Sequence, residues 1–293
     1  MLKALIKSMR LRTLPLSLAG VVCGGFLAFG RFGGSPWTLL FLFITTVSLQ
    51  ILSNLSNEMG DNLSGVDGEG REGPNYSMSE GGLSVRQMWR AINGTVVACA
   101  LFGLLMLLFS FHFSLFTFHF LILLLLGAAA IWAATHYTLG RNPYGYRGLG
   151  DIFVFIFFGL VSVLGGYFVV AHAFPLEFRI IAPAIGIGLL SVAVLNVNNI
   201  RDMASDEGIR RTIPLRIGLR RARIYQVALV AIGWGMLYAA SISWWMLLTA
   251  LPFCLHLWLV LSRTGRWLDP ALPLLVLSTF VTSILYTVSC YGL

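Results

Sequence analysis

Asn57 and Asp61 stand four residues apart at the end of one apolar run, and Asn198 and Asp202 repeat that step at the end of another. Around the first pair the chain reads NLSNEMGDNLSGVD over residues 54–67, which adds Asn54, Glu58 and Asp67. Around the second it reads NVNNIRDMASD over 196–206, which adds Asp206 four residues beyond Asp202. On a helix, Asn54, Asn57, Glu58 and Asp61 fall at i, i+3, i+4 and i+7 and share one face, and Asn198, Asp202 and Asp206 share another. Such a face is costly in lipid and belongs in a bundle interior or a water-filled cavity. A solvated helix end carrying Asx caps is the competing reading of either cluster alone, and the second cluster turns the balance toward an internal duplication. Hard oxygen donors suit Mg²⁺, which keeps several waters and is held by one or two carboxylates plus substrate phosphates. Two facing acidic clusters repel a diphosphate unless cations lie between. The pattern therefore points to Mg²⁺ neutralising a diphosphate leaving group. Arg201, Arg210 and Arg211 stand close enough in sequence to grip the same oxygens, although basic loop residues that only enforce topology compete for each of them.

The elements that must carry these clusters are membrane helices. Of 293 residues 57% are hydrophobic and 11% charged, whereas a soluble domain has about 25% charged residues. Apolar stretches long enough to span fall at about 14–30, 37–57, 89–110, 115–137, 151–171, 179–199, 224–241, 244–262 and 271–290. The expected fold is all-α and integral to the membrane, nine helices in one polytopic domain over 1–293. Residues 1–12 form an interfacial segment, with Leu2, Leu5, Ile6 and Met9 at amphipathic spacing. Residues 58–88 and 200–223 form the active-site loops, the Gly-rich stretch after Ser64 being a candidate lid. The basic residues ahead of the first segment also resemble a signal peptide, but FLAFGRFGG offers no small-x-small cleavage site, and a retained helix is expected.

A net charge of +8 invites a nucleic-acid partner, and its distribution rejects one. With the N-terminus inside, 18 of the 20 Lys and Arg residues fall in cytoplasmic segments, leaving Arg31 and Arg179 outside. That split satisfies the positive-inside rule for nine spans with the C-terminus outside. Cys23, Cys99, Cys254 and Cys290 are scattered through apolar segments without metal or disulfide spacing, and read as small buried hydrophobes.

Taken in order, MRLRTLPLS (9–17), NLSNEMGDNLSGVD (54–67), YRGLGD (146–151) and NVNNIRD with the later RTIPLRIG (196–202, 211–218) resemble the UbiA-type intramembrane prenyltransferases. The resemblance covers nearly the whole chain and is strongest to the branch that prenylates 1,4-dihydroxy-2-naphthoate in menaquinone biosynthesis. It implies nine helices, Mg²⁺ as cofactor, and an isoprenyl diphosphate and an aromatic acceptor as substrates. It further implies metal ligation by Asn57, Glu58, Asp61, Asp67, Asn198, Asp202 and Asp206, with Asp61 and Asp202 central to catalysis. Tyr137 and Arg141 fall where a Tyr and a basic residue contact the diphosphate, joined by Tyr144, Tyr146 and Arg147 and by Arg201, Arg210 and Arg211. The chain departs from that branch at Glu58, where Asp is common, at Asp151, where Glu is usual, and at Arg210, where Lys is common. The implied setting is a bacterial plasma membrane with the site on its cytoplasmic side.

Other classes fit less well. A secondary transporter also carries internal repeats and intramembrane acids, but its sites lie near the bilayer midplane, and here the acids gather at one surface. Prenylation of 4-hydroxybenzoate, or transfer to haem or a chlorophyllide, is the nearer alternative.

Overall fold

A computed structural model describes residues 1–65, 77–111, 117–174 and 176–291. Among them no strand occurs, and nine helices are long and apolar enough to cross a membrane. They are α1 (Leu2–Phe32), α2 (Pro36–Ser64), α3 (Val85–Ser110), α4 (Phe118–His136), α5 (Gly150–Ala171), α6 (Phe178–Arg201), α7 (Leu219–Ala240), α8 (Trp244–Ser262) and α9 (Gly265–Cys290).

Helix ends follow local chemistry. Pro36 opens α2 at a position where a missing N–H costs nothing. Gly65 closes it with φ of 78°, a left-handed conformation that glycine adopts without strain. Helix α2 thus runs seven residues past its expected apolar end and carries Asn57 and Asp61 as helix, not loop. Helix α3 starts at a capping box, in which Gln87 N–H donates to Ser84 Oγ and Ser84 N–H donates to Gln87 Oε1. The second expected loop is also partly helical, with short helices at Met203–Asp206 and Ile213–Ile217.

Burial separates centre from rim. The most apolar stretch of α6 is 72% buried, against 17% in α3 and 11% in α4, so α6 forms the core and α3 and α4 its outer wall. Gly186 allows α6 and α7 to touch, since a Cβ there would lie 2.7 Å from the Gly233 carbonyl oxygen. On α2, Leu52, Leu55 and Met59 pack into a cluster with Met88 and Ile92 of α3. That packing fixes the rotation of α2 and turns its oxygen-bearing face inward. Large apolar side chains left on the outer surface, among them Val97, Leu125, Ile232 and Leu251, suit a hydrocarbon surround.

The N-terminal stretch is broken at Arg10, where φ is 48°. Its first turns, Leu2–Ser8, lie over the end of α2. Ser77 Oγ donates to the Ala4 carbonyl at 2.6 Å, and Lys7 pairs with Glu80 at 2.6 Å.

Candidate active site

The polar ends of α2 and α6 open into one cavity of about 390 Å³. Asn57 and Asp61 reach it from α2, Asn198 and Asp202 from the end of α6, and Asp206 from the short helix that follows. Glu58 does not. Asn54, Asn57 and Asp61 fall within an arc of about 60°, whereas Glu58 lies about 100° from Asn57 around the helix. Fully buried, its Oε1 accepts the Met78 N–H at 2.9 Å. The expectation that Glu58 joins the metal ligands is corrected accordingly: it anchors the turn before α3. Asp67 lies outside the described residues.

The two clusters are neutralised differently. Arg201 forks onto Asp202, with Nε 2.8 Å from Oδ1 and Nη2 2.7 Å from Oδ2. It also donates to Asn198 Oδ1 at 2.7 Å and to Asp269 Oδ1 on α9 at 2.8 Å. Arg201 and Asp202 are buried, with Asn198 and Asp269 partly exposed, so Arg201 clamps the carboxylate from behind and does not line the cavity as a diphosphate ligand. Arg210 does line it. Its guanidinium pairs with Asp61, stands 3.6 Å from Asp206 and lies 4.7 Å from the Tyr146 ring centre. Burial alone would weaken the Arg210 charge, but Asp61 and Asp206 more than offset it and hold the guanidinium above its ordinary pKa.

Tyr146 O–H donates to Asp61 Oδ1 at 3.1 Å, and burial, reinforced by Asp61, raises its pKa. Tyr137 and Tyr144 line the cavity and meet edge to face at 5.4 Å. Burial raises both above the ordinary phenol range, so their hydroxyls stay neutral. The Tyr144 hydroxyl is already committed to the Ala133 carbonyl at 2.8 Å. Arg141, Arg147 and Arg211 are exposed, and none lines the cavity. Arg141 is displaced because α4 ends at His136, and a four-residue step past a helix end no longer preserves a face. Arg147 and Arg211 contribute backbone: the Arg147 carbonyl accepts from Arg216, and Arg211 N–H donates to the Tyr146 carbonyl at 3.0 Å.

Residues 17–271 match the UbiA prenyltransferase family. The chain belongs to that family. It is 40% identical over 257 residues to 1,4-dihydroxy-2-naphthoate octaprenyltransferase of Escherichia coli (strain K12), spanning 85% of this chain and 82% of the relative. The protein of the same name from Haemophilus influenzae is 33% identical over 298 residues, spanning 98% and 95%. Among solved structures, the apo form of a UbiA homolog from Aeropyrum pernix K1 superposes with a TM-score of 0.68 at 17% identity, covering 97% of this chain and 98% of that one. A UbiA homolog from Archaeoglobus fulgidus bound to GPP and Mg²⁺ gives 0.67 at 15% identity, covering 99% and 98%. Identities that low establish the fold, and UbiA membership together with the nine apolar helices makes this a multi-pass integral membrane protein.

The donor set fits Mg²⁺. Asn57, Asp61, Asn198, Asp202 and Asp206 offer only hard oxygens to one space, as a cation sharing its shell with phosphates requires. Among the described residues no three Asp, Glu, His or Cys side chains converge as a ready-made metal centre; the arginines hold the carboxylates instead. Beyond the expected residues, the cavity is also lined by Arg10, Arg12, Thr13 and Gln50, and Asn54 of the first cluster joins them. The step Gln50, Asn54, Asn57, Asp61 is a helix face legible in the sequence, whereas Arg10 and Arg12 read only as topology charges.

Proposed function

We propose that this chain transfers a long-chain isoprenyl group from its diphosphate to 1,4-dihydroxy-2-naphthoate, with loss of the carboxyl group, giving demethylmenaquinol for menaquinone biosynthesis. One observation carries the reading: two oxygen clusters from distant helices face each other at one end of a cavity whose remaining walls are largely apolar. The curated relatives above name the same acceptor.

Asn57, Asp61, Asn198, Asp202 and Asp206 would hold Mg²⁺, which when bound neutralises charge developing on the departing diphosphate. Arg210 adds a positive charge lining the cavity at the same place, and Arg201 keeps the Asp202 carboxylate oriented. The Tyr137 and Tyr144 rings wall the site beside α4 and α5, where π faces favour a developing allylic cation. Leu123, Leu126, Phe157 and Val161 line the apolar part, take the isoprenyl chain and keep out water that would capture the cation. Catalysis is then electrostatic and positional, with no covalent enzyme intermediate.

Purified protein given Mg²⁺, a long-chain prenyl diphosphate and 1,4-dihydroxy-2-naphthoate is expected to release carbon dioxide and yield demethylmenaquinone after oxidation. Efficient turnover of 4-hydroxybenzoate without the naphthoate would overturn the acceptor, and no transfer to any aromatic acceptor would overturn the reaction. The proposed setting is a bacterial plasma membrane with the cavity's polar end cytoplasmic. In a background lacking Cys254, a cysteine at Glu207 should label from the cytoplasmic face and one at Gly33 from the opposite face.

A further inference from the structure

The cavity has a second polar region that diphosphate chemistry does not use. Gln50 lies seven residues before Asn57 on α2, about 10 Å deeper along the helix axis. It is 8% exposed, and both amide hydrogens are committed: Nε2 donates to Thr13 Oγ1 at 3.1 Å and to Asn54 Oδ1 at 3.2 Å. Asn54 Nδ2 donates in turn to Thr13 Oγ1 at 3.0 Å and to the Met9 carbonyl at 2.8 Å, and Thr13 Oγ1 donates to the Arg10 carbonyl at 2.9 Å. This network ties α2 to the N-terminal stretch and leaves one group over. Gln50 Oε1 is buried, finds no partner among the described residues, and belongs to a side chain that lines the cavity. Thr45 Oγ1 and Ser162 Oγ, on α2 and α5, are in the same condition and line the same cavity.

Arg10 and Arg12 border the cavity beside Thr13. Arg10 is held at φ of 48°, a left-handed conformation disfavoured by its Cβ, and the Thr13 N–H and hydroxyl both bind its carbonyl. An isoprenyl chain has no polar atom to offer such a region. A dihydroxynaphthoate has three groups to offer. Its carboxylate matches guanidinium; its 1-hydroxyl, beside the carboxylate, bonds within the molecule, and its 4-hydroxyl is left to donate. An unpartnered buried carbonyl oxygen needs such a donor.

Resting on the function proposed above, we infer that Gln50, Arg10 and Arg12 form the acceptor subsite. Gln50 Oε1 accepts the 4-hydroxyl, and the two arginines hold the carboxylate. The spacing from Gln50 to Asn57 leaves the ring between this region and the diphosphate end, where it meets C1 of the isoprenyl chain.

Equilibrium binding by tryptophan fluorescence, with neither metal nor prenyl diphosphate present, tests the subsite apart from transfer. Wild-type protein should bind 4-hydroxy-2-naphthoate about tenfold or more tighter than 2-naphthoate, which lacks the hydroxyl, or 1-naphthol, which lacks the carboxylate. Gln50→Leu should abolish the first preference and Arg10→Met should reduce the second. In turnover, both variants should raise KM for the dihydroxynaphthoate while leaving KM for the prenyl diphosphate within about twofold. Wild-type protein that binds all three ligands alike, or a Gln50→Leu variant that keeps the hydroxyl preference, overturns the subsite even where naphthoate transfer is demonstrated. Should Gln50→Leu not fold, the Arg10→Met comparison of 4-hydroxy-2-naphthoate with 1-naphthol decides: an unchanged preference overturns the proposal.

Discussion

The end of α2 and the end of α6 carry the same asparagine and aspartate step, yet they are neutralised in opposite ways. Asp202 is forked by its own neighbour Arg201, which α9 steadies through Asp269. Asp61 is paired by Arg210, 149 residues away in sequence. A counter-ion on the adjacent residue of a packed helix end is part of the scaffold. One delivered by the segment between α6 and α7 is set by tertiary packing and lies between both clusters, since Arg210 also stands 3.6 Å from Asp206. The comparison teaches that repeated motifs need not play equal parts: Asp202 carries a local counter-ion outside the cavity, whereas Asp61 and Asp206 share one that lines it.

Removing the cation should act most strongly, because the proposed function has both clusters hold it. EDTA is expected to stop transfer and added Mg²⁺ to restore it, as measured by product formation; full activity in thoroughly chelated protein would break the comparison at its root. Asp61→Asn and Asp202→Asn should each lower kcat by about 10³-fold with the protein still in membranes, and near wild-type rates in both would exclude a two-cluster site. The arginines should then part company in turnover, since only Arg210 lines the cavity. Arg201→Ala strands a buried carboxylate and should cost about 3 kcal/mol of stability, read as a lower thermal midpoint. Arg210→Ala likewise strands buried carboxylates, Asp61 and Asp206, and should lower the midpoint comparably while also slowing turnover by about 10²-fold. Wild-type turnover in Arg210→Ala would show that its charge serves the fold alone. The smallest effect is expected at Glu58→Gln, with kcat within about threefold of wild type, because Glu58 faces the turn at Met78 and not the cavity.

Much of this was readable before any fold was seen. The nine spans needed only apolar length, since a lipid-exposed backbone must satisfy its own hydrogen bonds. The pairing of the clusters needed only their repeated spacing. Glu58 was misplaced because i, i+3 and i+4 rules draw a face about 100° wide, and the packing of Leu52, Leu55 and Met59 on α3 decides which part of that face looks inward. Arg141 lies away from the cavity because the helix ends at His136, before both Tyr137 and Arg141, and helical spacing stops predicting direction there.

By itself the sequence determined the membrane class, the helix count and the oxygen chemistry of both clusters, because these depend on composition and on neighbours within a few residues. Only the tertiary structure decided which arginine serves which aspartate, that Glu58 turns away, and that Arg10, Thr13 and Gln50 join the same cavity. Those outcomes rest on contacts between segments tens to more than a hundred residues apart, whose geometry is set by how whole helices pack and not by any local pattern.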